Sequence, residues 1–430
     1  MRFLCVLIAI WTGIGGVIAQ NGLRFSLDRD NEDRYIVFKG LGQIWLRHTD
    51  LNPGSTINGY EVGDYSDISI RRLRFQVYGQ ITDKVFFYTQ FGQNNFNFMS
   101  PKFTGSFFHD ATLEYHLDKK LHLGTGLTAW NGLLRHSSPS IGSIMSLDAP
   151  LYLQATNGVN DQFLRKLSVY AKGQLGRLDY RLILTQPMDL IGGTSTATSP
   201  TETDFTFSNE PPKKQVHGYF KYMFEDIESN LLPYEKGTYL GGKNVINLGA
   251  GFLYQPDALW ALDQGGNVIR EDMLLYGVDF FLDRKVTASN ILTTYLALSN
   301  YELGSGYIRN VGVDGFADSG SGNAGGPGNA FPMIGNGTTF YGQLGYLLSS
   351  LVIGEDGIFQ PFIASQWSDY DFLSDPMWMY EIGANYLIHG AHGQKISVVY
   401  QSRPTFSSEN NEAVFTTRKG MTVLQYQVTF

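Results

Sequence analysis

Cysteine is nearly absent from this chain: of 430 residues only Cys5 is a cysteine. Thiolate metal sites, cysteine nucleophiles and intrachain disulfides are therefore excluded beyond the first few residues. Charge is sparse, at 17% of residues, and the balance is acidic, with a net charge of −8, which disfavours nucleic acid as a partner. Beyond the N-terminus no window offers 18 uncharged apolar residues, so helical membrane spans are not expected. The sequence also lacks G-x-S-x-G, H-E-x-x-H and any phosphate-cradling loop. Its eight histidines are scattered; His389 and His392 lie three apart, but on a Gly-rich turn without nearby ligands. An enzyme, a cofactor and a metal centre are accordingly not expected.

The first residues stand apart. Arg2 precedes an apolar run from Phe3 to Gly16, and Val17-Ile18-Ala19 forms a small-residue cleavage pattern. This is the layout of a secretory signal peptide over 1–19, which leaves 20–430 as the mature chain. Its net charge would be about −9, since only Arg2 is lost. An exported chain without apolar helices is either a secreted globule or a barrel, and periodicity decides.

Aromatics make up 14% of the residues and glycine numbers 49, yet the mean hydropathy is −0.14. A wall with one oily and one wet face has this average, because the faces cancel. In the last ten residues Leu424, Tyr426, Val428 and Phe430 share one face, and Gln425, Gln427 and Thr429 the other. Period-two alternation is the signature of a strand with dissimilar sides. Here it runs to a terminal aromatic, an ending that resembles the signal read by the barrel-assembly machinery. The same alternation sets Leu73, Phe75 and Val77 against Arg72, Arg74 and Gln76, and Leu113, Tyr115 and Leu117 against Asp110, Glu114 and His116. A basic side chain held against hydrocarbon at mid-depth costs roughly 2–4 kcal/mol. The charged face must therefore look inward to water, and the tyrosine-rich face must meet outer-membrane lipid.

Strands are expected at 34–48, 66–80, 84–93, 107–117, 120–130, 163–175, 178–187, 213–225, 243–255, 272–284, 290–301, 338–348, 358–367, 377–388, 395–403 and 421–430. These are about 16 segments near the length of a tilted membrane-crossing strand. The fold class is all-β, a transmembrane antiparallel up-and-down barrel. Short turns such as Thr82-Asp83, Asp118-Lys119 and Gly176-Arg177 alternate with long connectors at 49–65, 94–106, 131–162, 188–212, 302–337 and 404–420. This is the asymmetry of periplasmic turns and outer loops. One connector, 226–242, is long where a short one is expected. Segment 314–330, rich in Gly, Ser, Asn and Ala with Asp314 and Asp318, reads as a flexible exposed loop. Segment 131–162 is partly apolar and either folds inward to narrow a channel or caps the barrel from outside.

The residues Arg71-Arg72-Leu73-Arg74-Phe75-Gln76-Val77-Tyr78-Gly79, Phe86-Phe87-Tyr88 and Asp110-Ala111-Thr112-Leu113-Glu114-Tyr115 resemble the opening hairpins of the porin O/P-like family. Val216-His217-Gly218-Tyr219-Phe220 and Asn247-Leu248-Gly249-Ala250-Gly251-Phe252 resemble that family's middle strands, especially in Bacteroidetes-type members. The resemblance implies a 16-stranded Gram-negative outer-membrane porin, often a homotrimer, that passes anions by diffusion. The sequence departs from that picture in its acidic balance and in a constriction-loop candidate offering only Arg135 as a cation, with His136 beside it.

From parity, the pore-lining cations are Arg72, Arg74, Lys166, Lys172, Arg181 and Lys221, and the anions Asp110, Glu114, Asp279 and Glu381. Cations gather in the earlier strands and two anions fall later, so a cross-channel field is expected. The function expected is passive diffusion of small hydrophilic, anionic solutes. The alternative is a non-conducting barrel that serves as a subunit of a larger outer-membrane assembly.

Overall fold

The computed structural model describes residues 22–100, 105–129, 132–188, 200–208, 210–315, 326–353, 356–409 and 412–430. The proposed signal segment 1–19 lies outside them. Sixteen strands form the wall. The first eight are β1 (Tyr35–Asp50), β2 (Asp64–Gln80), β3 (Val85–Phe96), β4 (Phe107–Asp118), β5 (Leu121–Thr128), β6 (Lys166–Leu175), β7 (Leu178–Gln186) and β8 (Gln215–Met223). The rest are β9 (Val245–Leu262), β10 (Val268–Lys285), β11 (Asn290–Glu302), β12 (Gly337–Ile353), β13 (Gly357–Tyr370), β14 (Met377–Leu387), β15 (Gln394–Glu409) and β16 (Glu412–Thr429).

Each strand pairs antiparallel with its neighbours in sequence, and β1 closes on β16 through the register Leu41↔Thr429 to Thr49↔Met421. Closure matters physically, because an open edge would leave backbone N–H and C=O groups unpaired in hydrocarbon. The final residue completes the seam: Phe430 donates its N–H to the Gly40 carbonyl at 2.9 Å. A Cβ at position 40 would collide with the Phe430 ring, so glycine there makes room for the chain's last side chain.

Alternation sorts the faces as expected. Leu113, Tyr115, Leu167, Val169, Val398 and Tyr400 are exposed on the outside, while Asp110, Glu114, Lys166 and Lys172 are buried inside. Among the described residues no helix is long and apolar enough to span a membrane.

The sixteen expected strands are all present, but several ends differ. Positions 404–409 and 412–420 are not loop; β15 and β16 continue through them with the pairing Arg403↔Lys419 to Glu409↔Glu412. Likewise β9 and β10 extend past a bulge between Gln255 and Leu259 to the pair Leu262↔Val268. In these extensions Arg418, Lys419 and Glu271 interrupt the apolar alternation, so it gave no strand signal there.

The connector 226–242 departs from a short turn without altering the strand count. It is long because it folds into the barrel, where Glu228, Glu235 and Thr238 are buried. Segment 314–330 is likewise not simply an exposed loop. Positions 316–325 lie outside the described residues, but Asp314, Asn329 and Ala330 at its ends are buried. Asn52 there donates to the carbonyls of Gly326 at 3.1 Å and Ala330 at 2.6 Å.

Candidate pore and its inward segments

Among the described residues three segments enter the barrel. The β5–β6 loop turns inward rather than capping the mouth. It carries Leu133, Leu134, Tyr152 and Leu153 onto an apolar inner wall that includes Tyr219, Leu253, Leu275, Phe281, Tyr295 and Tyr301. Gly251 of β9 lets its backbone lie against that wall, since a Cβ there would strike the Leu133 carbonyl. Further along, Met145 and Leu147 pack on Trp45, Phe362 and Val399. From the same end comes a hairpin of Ile308–Val311 with Phe331–Gly335. Tyr370 holds it by donating to the Met333 carbonyl at 2.7 Å.

From the opposite, short-turn end, the β8–β9 connector rises to meet the loop. Their backbones join: Ser140 N–H donates to the Glu235 carbonyl at 2.7 Å, and Glu235 N–H to the Ser138 carbonyl at 2.9 Å. Side chains reinforce the seam. Arg135 donates to Glu228 at 2.6 and 2.7 Å and to Glu235 at 3.3 Å. Its guanidinium carbon also lies 3.6 Å from the Phe281 ring centre. Lys221 reaches Glu235 at 2.7 Å and Glu228 at 3.2 Å, and Arg181 also pairs with Glu235. Burial alone would raise both carboxyls, yet Arg135 and Lys221 hold Glu228 well below the usual carboxylate range, and Lys221, Arg181 and Arg135 lower Glu235. Burial opposes the Arg135 charge, but Glu228 and Glu235 reverse that and raise its pKa. His136 stacks on Tyr295 at 3.9 Å, and burial with the neighbouring Arg135 lowers it to about 3.

These contacts rearrange the charge pattern expected from parity. Lys166 pairs with Asp161 at 3.0 Å and Lys172 with Glu114 at 2.7 Å. Asp110 accepts from Ala129 N–H at 3.1 Å and from the Tyr234 hydroxyl, with Arg165 at 3.6 Å. Asp279 accepts from Arg135 N–H at 2.6 Å and from Tyr219 at 3.1 Å, inside the apolar half rather than on an open wall. Glu381 accepts from Gln401 at 2.7 Å. The acids that face the basic wall thus come largely from the inward segments, not from β10 and β14.

Two cavities lie beside β1–β3. A small cavity of about 90 Å³ is lined by Arg71, Arg72, Arg74, Asn94, Arg165 and Asp314, among others. A larger one of about 460 Å³, toward the short turns, is lined by Lys39, Arg74, Gln76, Lys236, His392 and Thr429, among others. Arg74, Pro139, Ile141 and Tyr234 line both cavities, and this shared border is termed the neck.

Arg71 owes its inward position to a bulge. Gln43 faces Arg72 and Ile44 faces Ile70, so Arg71 is the extra residue. A bulge re-aims a side chain, and here it turns two consecutive arginines to the same side. Both meet Asp148 of the β5–β6 loop, Arg71 at 2.7 Å. Burial pushes the Asp148 carboxyl up, but Arg71 and Arg72 outweigh it and lower the pKa. Arg74 has no carboxylate partner among the described residues. It donates to Asn94 at 3.1 Å and Gln90 at 3.3 Å, both neutral. The lining of the larger cavity contains Lys39 and Lys236 and no carboxylate.

Parity puts Arg72 and Arg74 on the inner face, where they are buried, and it did not single out Arg71, Asp148, Tyr234, Glu228, Glu235 or Lys236. The one available signal for the connector was its length, together with the mixed segment Leu231-Leu232-Pro233-Tyr234 between two acids. The terminal-strand residues Leu424, Tyr426 and Phe430 are exposed on the outer face, and Val428 is half-buried.

No protein-family model and no curated protein sequence matches the chain. Among solved structures, an anion-selective porin from Comamonas acidovorans aligns over 92% of this chain and 99% of its own, with a TM-score of 0.50 at 9% identity. The outer membrane channel DcaP of Acinetobacter baumannii aligns over 94% and 100%, with a TM-score of 0.49 at 14% identity. OmpT of Vibrio cholerae, in its trimer form, aligns over 92% and 99%, with a TM-score of 0.48 at 7% identity. At such identities the likeness to the first concerns the fold alone. The chain has the fold of a porin: a closed, 16-stranded antiparallel barrel.

Proposed function

We propose that this chain is an outer-membrane porin of the O/P-like kind, which passes small hydrophilic anions by diffusion through the neck beside β2. The observation that carries this reading is Arg74, a buried cation shared by both cavities whose hydrogen-bond partners are neutral. A channel wall biases the ions it admits through fixed charge at its narrowest point. Lys39 and Lys236 extend the positive lining on the short-turn side, so a net acidic chain still offers anions a basic route. In this reading 1–19 is removed on export, the short turns face the periplasm, and Leu424, Tyr426, Val428 and Phe430 form the face read by the assembly machinery.

Purified full-length protein in planar bilayers tests the reading: discrete conductance steps are expected, and Arg74→Gln should lower anion permeability several-fold relative to cations while leaving the steps. A second reading draws on the filled interior, where the β5–β6 loop and the β8–β9 connector meet through buried ion pairs. It makes the chain a non-conducting subunit of a larger outer-membrane assembly. Absence of steps, with a stoichiometric partner retained in mild detergent, would favour it.

A further inference from the structure

The β4–β5 hairpin places two histidines and an acid together on the inner face, away from the neck. Its turn is centred on Lys119 and Lys120, and the register pairs His116 directly with His122. Their rings stack at 3.8 Å and 15°. Glu114, two positions before His116, shares its face, and its Oε2 lies 3.0 Å from His116 Nε2. One donor atom from each of the three residues falls within 4.8 Å of the others.

We infer that Glu114, His116 and His122 bind a divalent first-row transition ion of the zinc type at the short-turn mouth of the barrel. Two imidazoles and a carboxylate suit such an ion, which takes these donors at about 2.0–2.2 Å. Binding would turn the two imidazoles out of their parallel stack so that their in-plane lone pairs converge on one ion, with a fourth position left for water. The surroundings are those of ligands already oriented. Oε1 of Glu114 accepts from the Tyr170 hydroxyl at 2.8 Å and pairs with Lys172 at 2.7 Å, which fixes the carboxylate and leaves Oε2 for the ion. Hydrogen-bonded partners of this sort set the direction of a ligating carboxylate.

The Lys172 ammonium opposes a second cation nearby. It is, however, also spent on the carbonyls of Asn230 and Leu231, both at 2.9 Å. Phe86 covers the ring face of His116 at 5.6 Å. Nδ1 of His122 is buried with no hydrogen-bond partner of ordinary geometry.

The test is titration of Zn²⁺ alone into tag-free, metal-stripped, full-length protein in detergent, followed by calorimetry. One ion per chain is expected, with affinity falling at least tenfold in His116→Gln and in His122→Gln and unchanged in His389→Ala, a histidine remote from the hairpin. X-ray absorption at the zinc edge of the wild-type protein supplies a readout that needs no variant to fold; scattering from two imidazoles is expected. Failure of the wild type to bind at micromolar Zn²⁺, equal binding by the hairpin variants, or a spectrum without imidazole scattering would each overturn the assignment.

Discussion

Arg135 and Glu228 approach from opposite ends of the barrel and meet in a two-pronged ion pair, with N–O distances of 2.6 and 2.7 Å and side chains at most 1% exposed. Together they tie the β5–β6 loop to the β8–β9 connector. Removing one partner of a buried pair costs about 3–5 kcal/mol, because the other charge is left stranded. Arg135→Met should therefore loosen both segments without opening the wall. The expected result is a larger mean conductance with frequent sub-states, while the temperature at which the barrel unfolds in detergent gels changes little.

The same junction predicts an acid response in two stages. His136 and His392 are lowered to about 3, His136 by burial and Arg135, His392 by burial, Lys236 and Lys395. A free imidazole titrates near 6.5, so docking of the inward segments is fully supported above that pH and weakens as pH falls from 6.5 toward 3. Glu228 and Glu235 are held below their ordinary value of 4.5, so their contribution persists above that value and is lost only in stronger acid. Amide exchange across the connector should stay constant from pH 8 to 6.5 after correction for intrinsic rates, then rise. His136→Phe, which preserves the stack on Tyr295, should shrink the rise between pH 6.5 and 4.5 and leave the later one.

Tyr234 narrows the neck. It packs edge-on against Tyr88 at 5.9 Å, accepts from Arg165 at 2.8 Å and donates to Asp110. Tyr234→Ala should raise single-channel conductance and the size of neutral sugar admitted in proteoliposome swelling. Tyr234→Phe keeps the ring and should leave the sugar cut-off unchanged, which separates bulk from hydrogen bonding.

Asp148 offsets Arg71 and Arg72. Asp148→Asn would leave both guanidinium groups without their acid, and anion preference measured with paired salts should increase. A decrease would mean that the loop had moved out of reach.

Most of the wall was legible because a barrel strand faces two incompatible solvents, and residues such as Leu424 and Gln425 cannot exchange places without cost. Legibility ended where that constraint did. In the extension of β16, Arg418 and Lys419 offered no oily face to betray a strand. In β2 the bulge at Arg71 shifts the phase of the alternation, so that Asp67, Ser69 and Arg71 lie inside together with Arg72 and Arg74. The interior was harder still, since Glu235 finds Arg135 a hundred positions away through a fold that local patterning does not encode. His116 and His122 face each other only through a register shift between His116 and Asp118, which alternation does not reveal.

The most direct test is the reversal potential of single wild-type channels held between unequal KCl solutions. A basic neck at Arg74, flanked by Arg71 and Arg72 of the smaller cavity, places it on the chloride side of zero, and Arg74→Gln should bring it closer to zero. A wild-type reversal on the potassium side would contradict the assignment of that neck as the route for ions.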